Sequence, residues 1–310
     1  MNGVPDEVRA LAAERQDARA AKDFARADAL RDAIAELGFK VADSPEGPTF
    51  EQLAPARAET PKRLQPNDVG SVLEEAAECD VSVHWVCEGW PEDIARALAG
   101  FRANAGGRDV QYVVADVIGV EPEVFGEDVE VLPLAGGTGW GAARNAGLKR
   151  SRGRIVLAMD GSVEPIGDVF GPLEEALADP GIGVCGPFGI VTHDLQQFEE
   201  SAGVGGDRDV DAVEGYLMAF RREVLLHAGL FDEKFKWYRT ADIEWSFRVK
   251  DAGLRTVVLE VPVTKHEHRM WFNTEPAERA KWSKRNYYRF LERFRGRFDL
   301  LVAPDEEPRA

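Results

Sequence analysis

Val213–Arg248, VEGYLMAFRREVLLHAGLFDEKFKWYRTADIEWSFR, is the stretch from which the rest of the chain can be read. Val213–Phe220 is a strand-like run, and Arg222–His227 has the composition of a short helix. Gly229–Leu230–Phe231–Asp232 then makes a tight corner, and Ala241–Asp242–Ile243–Glu244 opens an amphipathic helix ending near Gly253. Asp242 falls in the first turn of that helix, where the backbone dipole favours an ionised carboxylate. Two roles suit it. One is an N-cap, the commonest use of Asp at a helix start. The other is a general base beside a cleft built from the preceding strand.

Upstream, apolar strand-like runs alternate with helices. The strands are VSVHWVC from Val81, VQYVVAD at 110–116, VEVLPL at 129–134, RIVLAMD at 154–160 and IGVCGPF at 182–188. Helices are expected at Pro91–Arg102 and Gly141–Arg150. Such alternation predicts an α/β fold, a Rossmann-like, mostly parallel sheet flanked by helices. Ligands of such sheets bind beyond the carboxyl ends of the strands, where Glu88, Asp116 and Asp160 fall. Gly136–Gly137–Thr138–Gly139–Trp140–Gly141 leads into a helix carrying Arg144 and Asn145. Glycines there allow close backbone approach to a ligand, and a helix start favours anions; the bland alternative is a flexible connection.

Several blocks together resemble family 2 glycosyltransferases of GT-A fold over about residues 79–295. They are GTGWGAARNAGLKRSRGRIVLAMD, GYLMAFRREVLLHAGLFDEKF, ADIEWSFR, AGLRTVVLEVP and KHEH. The resemblance implies transfer of a hexosyl- or rhamnosyl-type sugar from a nucleoside diphosphate sugar to a hydroxyl acceptor, inverting the anomeric centre. It makes Asp242 the base. It places the nucleotide sugar near Glu88, Asp116, Gly139, Gly141, Arg144 and Asn145, and a Mg²⁺ or Mn²⁺ ion at Asp160 and His266, the histidine closer to the strand end. The sequence departs from the family pattern at three points: Ala241 stands where an acid precedes the base, Ser162 where a second aspartate would follow Asp160, and Val117–Val120 replaces a polar turn. A binding or scaffold protein that keeps the transferase fold is the rival reading. Arg248 is expected to pair with acids near Asp242 or Glu244.

Residues Pro5–Leu37 carry apolar side chains at helical spacing, with Asp23 capping the second of two helices and Gly38 ending it. The segment ERQDARAAKDFARADALRDAIAELGFKVADSPEGPTF resembles the C-terminal helical extension of cysteinyl-tRNA synthetases, which helps hold the anticodon end. Residues 1–50 hold seven basic and ten acidic residues, a balance that favours docking or self-association over tRNA contact. The expected domains are a helical hairpin at 1–53, a Pro-rich linker at 54–78, the transferase-like domain at 79–298 and a disordered tail at 299–310.

The segment Lys265–Arg297 has ten basic residues against four acidic, with aromatics interleaved. It either meets an anionic membrane or lipid-diphosphate acceptor, or packs its aromatics on the domain and turns its charges to water. The whole chain carries a formal charge of −17, which argues against broad nucleic-acid binding. Its three cysteines have no metal-like spacing, and no stretch reads as a signal peptide or a membrane span. A cytoplasmic protein, peripheral at most to the inner face of a membrane, is expected.

Overall fold

Pro5 starts the first helix, α1 (Asp6–Ala20), and Lys22 turns the chain with a φ of 60°. Asp23 caps α2 (Phe24–Glu36) as expected, its carboxylate accepting the Arg26 N–H at 3.1 Å. The helices are followed by an antiparallel β-hairpin, β1 (Phe39–Ser44) and β2 (Gly47–Gln52). The expected purely helical module is therefore a helical pair plus a hairpin. Its core is small, with Val8, Ala12, Ile34 and Val41 buried and Phe39 and Phe50 packed against them.

In this computed structural model the chain divides into two units, Met1–Lys62 and Arg63–Ala310, and residues 4–37, 39–44, 47–52, 63–202 and 208–302 are described. The expected helix stop at Gly38, residues 54–62 of the expected linker and the tail from 303 lie outside the described residues.

The second unit begins earlier than the linker assignment predicted. Leu64 pairs in parallel with Leu134, and its N–H and C=O bond Pro133 and Ala135 at 2.7 and 2.8 Å. Val69 and Leu73 are buried in the core beneath. Residues 63–78 are thus a strap on the domain: their single apolar side chains reach the core without forming a periodic element.

The strands are β3 (Cys79–Cys87), β4 (Val110–Asp116), β5 (Val129–Pro133), β6 (Gly153–Met159), β7 (Val163–Pro165), β8 (Ile182–Gly186), β9 (Phe188–Val191), β10 (Glu199–Ala202), β11 (Arg208–Asp209), β12 (Ala212–Val213), β13 (Leu217–Arg221), β14 (Arg255–Val258) and β15 (Val263–Lys265). Among them run α3 (Pro91–Ala103), α4 (Trp140–Lys149), α5 (Phe170–Leu177), α6 (Val224–His227), α7 (Ala241–Asp251), α8 (Arg269–Asn273) and α9 (Pro276–Phe294). The main sheet has the order β11-β14-β8-β13-β6-β3-β4-β5. β6, β3, β4 and β5 are mutually parallel, as are β14 and β8, while β13 runs antiparallel between β6 and β8. The expected Val213–Phe220 strand is broken: β12 joins a small sheet with β9 and β10, Glu214–Tyr216 turn, and β13 enters the main sheet.

Helices cover both faces, as the near-continuous apolar strands require. Trp85, Leu157 and Phe170 centre one core cluster, and Phe220, Trp245 and Phe235 the other. At the C-terminus Phe290 and Phe294 pack against Phe247 of α7 at ring distances of 5.0 and 5.3 Å. Leu300 joins them, so the chain stays packed past the expected start of the tail at 299.

Candidate active site

A cavity of about 1100 Å³ opens beyond the carboxyl ends of β3 and β6. Trp140, Arg144, Asp160 and His268 line it together with Glu214, Gly215, Tyr216 and Asp242, and α8 and α9 contribute Trp271, Phe272, Lys284, Tyr287 and Tyr288. The basic C-terminal segment therefore does two things. It buries Phe290 and Phe294 on the domain, and it gives the cavity a wall.

Asp242 is not an N-cap. Thr240, with φ of 72°, holds that position without a side-chain bond, and Asp242 lies inside the first turn. Its Oδ2 accepts the Gly215 N–H at 2.8 Å and its Oδ1 the Ile243 N–H at 2.9 Å. Burial pushes this carboxyl above the usual aspartate range, although the two N–H bonds pull it back. Burial thus outweighs the helix dipole expected to keep it ionised, and a carboxylate raised in this way is a stronger base.

Asp160 follows β6 and donates its own N–H to Tyr216 at 3.0 Å. Its Oδ1 accepts from the Ser162 N–H and hydroxyl at 2.8 and 2.5 Å, and its Oδ2 bonds His268 Nε2 at 3.1 Å. Burial alone would raise this carboxyl; the His268 and Ser162 bonds bring it below the usual range. His268 is also the N-cap of α8, its Nδ1 accepting the Trp271 N–H at 3.1 Å. With Nδ1 an acceptor, the neutral ring carries its proton on Nε2 and donates to Asp160. His266, expected beside Asp160, instead bonds Glu164 at 2.7 Å. The two histidines exchange roles because the chain leaves β15 at Lys265 and turns into α8.

Arg144 is buried, donating to the carbonyls of His84 and Met159 at 3.1 and 2.9 Å, with Trp140 under its guanidinium at 5.0 Å. Its Nε has no hydrogen-bond partner among the described residues. Burial lowers its pKa to about 10, while Asp160 and Glu88 oppose that shift. Glu88 lies in an adjoining recess with Arg144, Asp160 and His268, and burial pushes it up to about 7.

Four other expected ligand contacts are placed elsewhere. Asp116 is buried at the rim of β4, its oxygens taken by the N–H groups of Ile118, Gly119 and Val120, with Arg63 at 3.6 Å. It shapes the turn that was read as a nucleotide contact. Asn145 fastens the next loop, donating to Phe231 O at 2.8 Å and Glu233 at 3.3 Å. A Cβ at Gly139 would stand 2.4 Å from Lys236 Cδ, and one at Gly141 2.7 Å from Asp232 O. Those glycines admit the chain's own 232–236 segment, whose Phe235 carbonyl accepts the Gly141 N–H at 2.9 Å. Arg248 pairs with Glu244 at 3.1 Å, as expected.

The sequence reading missed Glu214, Tyr216, Tyr238 and Arg239, all of which line the cavity. Only the neighbourhood of Asp242, Asp160 and KHEH in one fold brings them together; none carries a local signal.

A divalent cation wants several hard oxygen ligands, and Mg²⁺ sites commonly use one or two carboxylates plus phosphates. Among the described residues no group of three or more His, Cys, Asp or Glu side chains is placed to hold one. Asp160 has both oxygens engaged, and His268 presents a proton where a metal would need a lone pair. The side chains in this arrangement do not fit a resident metal.

Comparison with known proteins finds matches in two parts of the chain. Residues 1–50 match the family model described as the cysteinyl-tRNA ligase anticodon binding domain, and residues 115–226 that of glycosyl transferase family 2. A cysteine–tRNA ligase of Solidesulfovibrio magneticus is 61% identical over 44 residues, 14% of this chain and 9% of the ligase. The ligase of Bdellovibrio bacteriovorus is 55% identical over 51 residues, 16% of this chain and 11% of its own length. The chain thus spans about a tenth of these curated relatives. Among solved structures, GalNAc-T7 with UDP, GalNAc and Mn²⁺ superposes with a TM-score of 0.57 at 15% identity, covering 71% of this chain and 49% of that one. Residues 1–50 are thus similar to the cysteinyl-tRNA ligase anticodon binding domain and residues 115–226 to glycosyl transferase family 2, within a GT-A-type fold.

Proposed function

We propose that the protein is an inverting glycosyltransferase that moves a hexosyl- or rhamnosyl-type unit from a nucleoside diphosphate sugar to a hydroxyl acceptor. One observation carries the reading: a single cavity holds Asp242 and the Arg144–Asp160–His268 cluster. The acceptor hydroxyl lies against Asp242. Its oxygen forms the new bond to the anomeric carbon as the bond to the diphosphate oxygen breaks, and that oxygen keeps the bonding electron pair. The hydroxyl proton passes to Asp242, and the configuration inverts. Arg144 and His268 face the end where the diphosphate charge would sit, and Glu88 lies beside the donor.

Calorimetry with UDP, GDP and dTDP, each with and without Mn²⁺, tests the donor site, and Asp242→Asn tests the base. One nucleotide should bind at micromolar concentration. The variant should lose turnover by roughly 10²- to 10⁴-fold while keeping that affinity. Retained turnover would remove Asp242 from the role.

The rival reading, a binding or scaffold protein, is favoured by Ala241, by Ser162 and by the missing metal set. Absence of nucleotide binding under every condition would select it. The proposal also includes peripheral membrane contact through Lys281, Lys284, Arg285 and Tyr288 of α9, which are exposed. For residues 1–53 it takes docking or self-association as the role, with tRNA contact disfavoured by their charge.

A further inference from the structure

We infer that Glu214 is a second acceptor-binding carboxyl, gripping a hydroxyl next to the one that Asp242 deprotonates. The acceptor is then a sugar or another vicinal polyol. This rests on the glycosyltransferase reading and narrows its substrate.

The two carboxyl-bearing residues are fixed to one another through a single peptide step. The Glu214 N–H donates to Phe188 O at 2.8 Å, and the next residue, Gly215, gives its N–H to Asp242 Oδ2 at 2.8 Å. Both side chains line the cavity.

Several other buried carboxylates have protein partners, whereas Glu88 in the adjoining recess, like Glu214, makes no hydrogen bond or ion pair with a described residue. Asp116 takes three backbone N–H groups, Asp211 takes Lys250 and the Thr192 N–H, and Glu244 takes Arg248 and Arg293. The half-buried Glu214 carboxyl makes no hydrogen bond or ion pair with a described residue. Glu214 lines the open cavity, where a ligand hydroxyl can take the place of water. The charged groups facing it are Asp242 on α7, Lys265 on β15, Glu200 on β10 and Arg239 ahead of α7. Lys265 is occupied by the Tyr216 ring, 3.5 Å from its ammonium.

Burial and Asp242 push Glu214 up to about 7. Near neutral pH it can therefore both accept and donate, which matches a hydroxyl that does both. Position 241 could not supply this second carboxyl. Ala241 is 1% exposed and packed among apolar side chains, so the group comes from the β12–β13 turn instead.

The test uses the full chain, the nucleotide sugar whose nucleotide binds, and four acceptor probes: methyl glycosides of hexoses, their deoxy analogues lacking one ring hydroxyl, a Ser/Thr peptide and a long-chain alcohol. Donor hydrolysis and transfer are followed by mass spectrometry. The wild type should transfer to a glycoside. Glu214→Ala should raise the acceptor KM roughly tenfold to a hundredfold with the donor KM unchanged. Glu214→Gln should recover part of that loss and remove the pH dependence of acceptor KM between about 6 and 8. With the matching deoxy analogue the wild type and Glu214→Ala should become equal, which a merely structural residue would not produce. Donor turnover with an unchanged acceptor KM in Glu214→Ala, or transfer to the peptide or alcohol but to no glycoside, overturns this inference alone. No donor turnover in the wild type overturns it together with the glycosyltransferase reading.

Discussion

Glu244→Ala should destabilise the second unit by about 3 to 5 kcal/mol, the usual cost of removing one partner from a buried ion pair. Glu244 is 2% exposed on α7. Both its oxygens lie 3.1 Å from Arg248 Nε, and Arg293 of α9 adds a third contact at 2.8 Å. Even so, burial leaves this carboxyl raised above its usual range, so the two arginines do not fully offset its desolvation. The cost of the substitution therefore comes from the charge left behind. Among the described residues Arg248 would keep its bond to Ala228 O, and its Nη2 already has no hydrogen-bond partner there. For a unit of this size the loss corresponds to a fall in Tm of roughly 6 to 20 °C, read by calorimetry. Arg293→Ala should cost no more than about 1 kcal/mol, because that side chain is 51% exposed. Glu244→Leu combined with Arg248→Met removes both charges and should cost less than Glu244→Ala alone. If the single substitution shifts stability by under 1 kcal/mol, or the double variant is worse than it, the account of a stranded guanidinium is wrong.

A Cβ at Gly153 would stand 2.2 Å from Ser82 N and 2.4 Å from Val81 C, so Gly153→Ala must part β3 from β6. About 3 kcal/mol should be lost in urea unfolding, and a midpoint within error of wild type would contradict the close approach. Glu88 and Glu214 are both pushed up to about 7, from 4.5. A raised carboxyl binds its proton more tightly when folded, so its contribution is fully present below about 4.5 and lost as pH rises through about 7. Glu88→Gln and Glu214→Gln should each flatten the stability change from pH 5 to pH 8, by roughly 1 to 3 kcal/mol; profiles parallel to wild type would argue against the raised values. Finally, Mn²⁺ or EDTA should change nucleotide affinity less than about threefold, since His268 offers Asp160 a proton. A gain of tenfold or more with Mn²⁺ would show that His268 and Asp160 release one another when nucleotide enters.

What the sequence disclosed follows from how local each signal is. The strands at 110–116 and 154–160 and the helix after Pro91 were legible because apolar runs and a helix-start proline act on their own neighbourhood. The antiparallel insertion of β13 was not, since direction in a sheet depends on partners far along the chain. The strap at 63–78 read as a linker because Leu64, Val69 and Leu73 have no common period, although each enters a core. Glycines 139 and 141 did signal a close approach, but what approaches is the chain itself.

The same limit explains the site. KHEH announced a histidine near Asp160, yet which of the two faces it depends on where β15 stops and α8 starts, one residue after His268. That capping role also fixes the tautomer: the Trp271 N–H on Nδ1 forces the proton of the neutral ring to Nε2, toward Asp160. His268 is therefore the group that holds the aspartate after β6 in place. Ser162, which reads as the loss of a second aspartate, makes two of the bonds that do so. The departures from the family pattern are thus internally consistent. Where a paired acid is missing beside Asp160, Ser162 and His268 satisfy the one that stays; where an acid is missing beside Asp242, Glu214 reaches the cavity from a neighbouring strand turn.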